Sequence, residues 1–177
     1  MLLLAACGGG MGSVGTSNPA QEERALEMTL RTPDGDWIHI GDLRGQPLLL
    51  FVFATWDGVS QAALRPVSRF ARAHEDVHVL GVAAQPDAAA LIDAYEHALE
   101  PPFPMTYDPE QNVHQGTSPL GSIDVVPTLI MLDARGLEVG RHVGFPNTNT
   151  LPNLREEALS RGGIGETVAP PTIGVSN

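Results

Sequence analysis

Seven consecutive apolar residues, Leu48-Leu49-Leu50-Phe51-Val52-Phe53-Ala54, constrain the fold of this chain more than any other feature. A run of that length, rich in Phe and Val, reads as a strand buried on both faces, so the sheet that holds it needs a covering layer on each side. Residues 77–83 read as a second strand of the same kind. Between the two, Ala62, Leu64, Val67 and Phe70 follow helical spacing, with Pro66 implying a kink. Residues 87–99 are expected to form a helix that carries Ala90, Leu91, Ala94, Tyr95 and Ala98 on one side. Residues 27–31 and 37–40 flank Thr32-Pro33-Asp34-Gly35-Asp36 as an N-terminal β-hairpin. Residues 129–132 and 137–143 flank Asp133-Ala134-Arg135-Gly136 as a second hairpin, and a short helix is expected over 150–160. Strand, helix, strand, helix, strand, strand, helix is an α/β order: a mixed central sheet with helices on both faces.

The chain has 177 residues, enough for one domain, placed here at residues 27–160. Residues 8–26 read as a flexible tether, and residues 161–177, with Gly and Pro and few large apolar groups, as a disordered tail. Acids outnumber bases 21 to 10, and all ten bases are arginine. Without lysine there is no Schiff-base chemistry, no lysine general base and no P-loop phosphate lysine. A net charge of −11 with scattered arginines argues against a nucleic-acid surface. Cys7 is the single cysteine, which excludes an intrachain disulfide and a cysteine-rich zinc site. His74 and His78 are four apart, but Asp76 and Val77 mark a helix-to-strand transition between them. His39, His97, His114 and His142 stand alone, and no acidic run has the spacing of a calcium loop. No metal site and no cofactor are expected.

The N-terminus ends an apolar run in Leu4-Ala5-Ala6-Cys7, followed by Gly8, Gly9 and Gly10. This resembles the lipobox of bacterial lipoproteins, whose cysteine is diacylated on sulfur. Only six residues precede Cys7, against the roughly 7–15 apolar residues of a secretory signal. The true start codon is therefore expected upstream, with residues 1–7 the end of a signal. No segment approaches the ~20 apolar residues of a spanning helix, so membrane attachment is expected only through the lipid on Cys7.

Ala54-Thr55-Trp56-Asp57-Gly58-Val59-Ser60 resembles the signature of TlpA/ResA-type thioredoxin-like proteins, in which Ala-Thr-Trp runs directly into Cys-x-x-Cys. Arg65-Pro66 falls where that family's first active-site helix has its proline. Val125-Val126-Pro127-Thr128 resembles the cis-proline loop. Leu132-Asp133-Ala134-Arg135-Gly136 and Arg141-His142-Val143-Gly144 resemble the closing hairpin. Phe103-Pro104-Met105-Thr106-Tyr107-Asp108-Pro109 resembles the stretch after the inserted strand–helix unit. The resemblance covers about residues 28–159 and implies a thioredoxin-like fold.

The resemblance also places Asp57 and Ser60 where the redox cysteines would stand. Thiol–disulfide exchange needs an attacking thiolate and a second thiol to resolve the mixed disulfide, and neither residue supplies one. Peroxidase chemistry of the peroxiredoxin kind and copper binding of the Sco kind fail for the same reason. Asp57 is a good N-cap for the following helix; its alternative role is a general base or metal ligand in a cleft. Ser60 reads as a tolerated polar group. Trp56 is either partly exposed or packed as a lid on the helix. The family's cis-proline loop pairs with extended substrate segments, so Trp56, Asp57, Val126 and Pro127 form a candidate non-covalent peptide groove; Pro127 retained for folding alone is the alternative.

The function expected is a redox-inactive, lipid-anchored accessory module on the periplasmic or other extracytoplasmic face of a bacterial envelope, binding a protein or extended peptide. Two alternatives remain at this level. One is an oxidoreductase that borrows a partner's thiol, and the other a structural lipoprotein without a ligand.

Overall fold

The computed structural model describes residues 24–162. Seven strands form one mixed sheet: β1 (Thr29–Arg31), β2 (Trp37–His39), β3 (Leu48–Phe53), β4 (His78–Ala83), β5 (Met105–Tyr107), β6 (Thr128–Leu132) and β7 (Glu138–Val143), in the spatial order β2-β1-β5-β4-β3-β6-β7. The helices are α1 (Gly58–Ala73), α2 (Ala88–Leu99), α3 (Asn112–Gln115) and α4 (Thr150–Arg161), with a 3-10 turn over Ile40–Leu43. β3 pairs parallel with β4 and antiparallel with β6, and all six of its residues are buried. The apolar run from Leu48 thus forms an interior strand of the sheet, paired along both edges.

Alternation along β3 builds two cores. Leu49, Phe51 and Phe53 face one side with Leu64, Val67 and Phe70 of α1, Ile92 and Tyr95 of α2, and Leu151 and Ala158 of α4. Leu48, Leu50 and Val52 face the other with Leu26, Leu30, Ile40, Val113 and Leu120. Both faces carry helix, as expected, but unequally: the three long helices share one face, while the N-terminal segment, the 3-10 turn and α3 cover the other.

Two helical faces differ from the sequence reading. On α1 the buried side is Ala63, Leu64, Val67 and Phe70 together with Ser60 and Ser68, and Ala62 is exposed. The helix continues through Pro66, whose missing amide falls opposite the carbonyl of that exposed residue. On α2 the buried residues are Ala88, Ile92 and Tyr95; Ala90, Leu91, Ala94 and Ala98 face solvent. Alanines on every side of α2 give its periodicity little contrast, so the large groups decide: Tyr95 packs on Phe53 with ring centroids 5.1 Å apart, and Phe53 stacks on Phe51 at 5.3 Å.

The closing hairpin rests on Asp133, almost completely buried. Its carboxylate accepts from the amides of Arg135 and Leu137 at 2.9 and 3.0 Å and from the Arg135 guanidinium at 2.7 Å. Burial alone would raise its pKa; these donors outweigh burial and hold it below the usual carboxylate range. Gly136 follows at φ +85°, in the left-handed region that the turn requires.

Candidate functional site

The four residues from Ala54 to Asp57 carry the chain from β3 into α1 and are held from two sides. The Gln85 side chain, buried at the end of β4, accepts from the Thr55 amide at 2.5 Å and donates to the Thr55 hydroxyl at 2.8 Å and to Asp87 at 2.8 Å. Gln61 donates to the Thr55 carbonyl at 2.8 Å. These bonds satisfy backbone groups that leave the sheet before the helix begins. They also fix the position from which Trp56 projects.

Trp56 is 69% exposed, which decides between the two readings of it: it is not a lid on α1. Asp57, at φ −83° and ψ 119°, is the N-cap of α1, its carboxylate accepting from the Ser60 amide at 2.7 Å. Ser60 departs from expectation. It is fully buried, and among the described residues its Oγ has no hydrogen-bond partner. The Tyr95 hydroxyl on α2 is likewise buried without a partner. Burial, and secondarily the negative charge of Asp57, push that phenol up to about 12. The seat of Ser60 at the start of α1 is therefore buried and offers its hydroxyl no partner. It suits a group that hydrogen-bonds weakly, as a thiol does, better than it suits serine.

Sheet register brings the proline loop to the same place. Val52 of β3 and Val143 of β7 both pair with Thr128, so the end of β3, the start of β6 and the end of β7 lie at one edge of the molecule. Val126 is half-buried there, the Val126–Pro127 bond is cis, and the Pro127 carbonyl accepts from the Gly144 amide at 2.8 Å. Trp56, Asp57, Val126 and Pro127 thus meet at this end.

Sequence reasoning missed what surrounds them. Of the nine large hydrophobic residues exposed among the described residues, five belong to this end: Trp56, Val59, Val125, Val143 and Phe145. Scattered singly such residues mean little; five at one end of the molecule are a candidate surface. Only the tertiary register collects them, so no local pattern could have pointed to the set. Gln85 was missed for a similar reason: its partner is thirty residues away.

The histidines do not converge. His74 closes α1 and packs on Phe70, His78 opens β4 facing solvent, and His39 pairs with Thr29. His97 lies 3.8 Å from Asp93, His142 contacts the Phe145 carbonyl, and His114 is exposed on α3. Among the described residues no three His, Cys, Asp or Glu side chains form a group that could hold a metal ion. Asp57 acts as a helix cap, and among the described residues no histidine hydrogen-bonds to it. Cys7 lies outside the described residues, as does almost all of the expected C-terminal tail. No helix among the described residues is long and apolar enough to cross a membrane.

Comparison with known proteins places the scaffold. The AhpC/TSA family matches residues 22–136. No curated protein matches in sequence. The exposed lipoprotein thioredoxin of Streptococcus pneumoniae superposes with a TM-score of 0.60 at 22% identity, covering 73% of this chain and 98% of that one. The thioredoxin-family thiol:disulfide interchange protein of Chlorobium tepidum gives 0.64 at 19%, covering 76% and 94%. A secreted disulfide oxidoreductase of Mycobacterium tuberculosis gives 0.56 at 16%, covering 81% and 99%.

Two substitutions separate the cap from the orphaned hydroxyl. Asp57→Ala should lower stability by about 1 kcal/mol, since the Ser60 amide loses its acceptor. Ser60→Ala should raise it by about 1 kcal/mol, since a buried hydroxyl without a partner costs more than it returns. Urea midpoints of the two variants measure both shifts.

Proposed function

The chain belongs to the AhpC/TSA family, and on that thioredoxin-like scaffold we propose that it is a redox-inactive module that binds extended polypeptide without a covalent step. The observation that carries this reading is the exposed apolar surface of Trp56, Val59, Val125, Val143 and Phe145 around the proline loop, beside a helix start where Asp57 and Ser60 stand. Disulfide exchange requires a thiolate at the helix N-terminus and a resolving thiol behind it. Cys7, fifty residues before Asp57, is the only cysteine in the chain. What remains is shape: a tryptophan held rigidly by the Thr55–Gln85 bonds, an adjacent strand end, and backbone groups that a peptide strand could pair with.

Peptide binding is tested by titrating labelled protein with extended peptides and following amide shifts in NMR. Shifts should centre on Trp56, Asp57 and Val126 and should weaken at least several-fold in Trp56→Ala. Shifts confined to another face, or none, would leave a structural role only.

Loss of redox chemistry is tested by insulin reduction in dithiothreitol. The wild type should stay at background, while Asp57→Cys combined with Ser60→Cys should close an intrachain disulfide and gain activity. The first thiol then sits at a helix N-terminus that lowers its pKa, and the second fills the buried seat of Ser60. Activity above background in the wild type would overturn the redox-inactive reading.

Location follows the same reading. The pneumococcal neighbour is described as an exposed lipoprotein and the mycobacterial one as secreted. With Leu4-Ala5-Ala6-Cys7 they support an extracytoplasmic module anchored through a lipid on Cys7. Expressed behind a complete signal, the protein should partition into detergent and Cys7→Ser should release it; a soluble wild type would remove the anchor.

A further inference from the structure

A second surface lies further along α1, away from Trp56. There a groove of about 500 Å³ opens between α1 and the segment that leads from β7 into α4. That is within the roughly 300–1,000 Å³ of ordinary ligand sites. Its apolar lining comes from Pro66 and Phe70 on α1 and from Phe145, Pro146, Leu151 and Pro152 opposite. Phe70 and Leu151 are buried in the floor, whereas Phe145 stands 53% exposed at the mouth. An ion pair between Arg155 of α4 and Asp76, just past the end of α1, holds the two walls together.

The charge of this groove is opposite to that of the protein. The chain carries 21 acids and 10 bases, yet the groove is lined by Arg65, Arg69 and His74 and by no Asp or Glu. α1 contains Arg65, Arg69 and Arg72 and no acidic residue at all. Five other arginines, at 44, 135, 141, 155 and 161, are ion-paired. Arg65 and Arg69 make no ion pair among the described residues, although they sit one helical turn apart. A like-charged pair at that spacing works against the helix, so fold stability does not account for it.

We infer that this groove docks an acidic polypeptide segment bearing one large apolar anchor side chain. The anchor would sit between Pro66 and Phe145, with carboxylates on either side of it reaching Arg65 and Arg69. Two cations whose backbone positions lie about 6 Å apart along the helix axis ask for two anions. A peptide with flanking acids supplies them, and a fatty acid with its single headgroup does not. The groove shares Phe145 with the Trp56 surface, but the inference rests on Arg65, Arg69 and Pro66, which that surface does not use, and does not depend on that reading.

Fluorescence polarisation on the full chain tests this with a labelled peptide Asp-Glu-Phe-Glu-Asp and its counterpart Lys-Arg-Phe-Arg-Lys. The acidic peptide should bind and the basic one should not, with affinity falling as salt rises from about 50 to about 300 mM. Arg65→Glu with Arg69→Glu, both exposed positions, should weaken binding about tenfold or more. Phe145→Ser, also exposed, should weaken it independently by loss of the anchor contact. Equal binding of the two peptides, or binding of neither, overturns the inference. So does loss of binding in Trp56→Ala with none in the arginine variant, which would move the peptide to the other surface. Oleate bound where the peptide is not would give the groove to lipid. A dimer abolished by Phe145→Ser would give it to a second copy of the chain. Peptide binding seen only after removal of residues 163–177 would give it to the chain's own tail. Each of these three results also overturns the inference.

Discussion

A strand with no exposed residue must be hydrogen-bonded along both edges and covered on both faces, and β3 meets all four demands. β4 and β6 occupy its edges. Its odd-numbered residues pack under α1, α2 and α4, and its even-numbered residues over the N-terminal segment and α3. Where that strand ends, the chain has to turn from a buried backbone into a helix, and the turn is satisfied by Gln85 and Gln61 rather than by water. The position of Trp56, the start of α1 and the alignment of the proline loop through Val52 and Thr128 all descend from β3.

The same descent explains what this protein keeps and what it lacks. Asp57 satisfies the Ser60 amide and places a negative charge at the positive end of the helix dipole, so it serves the fold. Ser60 does the reverse. Its hydroxyl lies buried without a partner among the described residues, as does the Tyr95 hydroxyl on α2. A serine placed for stability would have been given a partner or an exposed seat. The buried seat gives the serine no partner, and a hydroxyl cannot exchange with a disulfide.

Much of the architecture was legible because its signals are local. Doubly apolar runs gave β3 and β4, Asp133 to Gly136 gave the closing hairpin, and Asp57 could be read as a cap because its partner is three residues away. Helix faces were less legible. Ala62 and the alanines of α2 are apolar enough to join either side, and which side is buried is settled by where Tyr95 meets Phe53. The candidate site divides in the same way. Trp56, Asp57, Val126 and Pro127 could be picked out in sequence, whereas Val143, Phe145 and Gln85 join them only through strand register and long-range hydrogen bonds.

Charge shows the same limit most plainly. A total of −11 describes the whole chain and suggests that any partner should be basic or neutral. Yet α1, the helix that begins at the candidate site, carries three arginines and no acid. Side chains on one helix surface are neighbours at spacings of three and four residues, so a local field can oppose the sign of the net charge when screening confines it to about 8–10 Å. The field at Arg65 and Arg69 is set by that neighbourhood and not by the sum. In this protein the apolar end of the sheet and the cationic flank of α1 adjoin, with Phe145 belonging to both. One exposed aromatic ring therefore stands between an apolar end of the sheet and a cationic flank of α1, two surfaces of different chemistry on one fold.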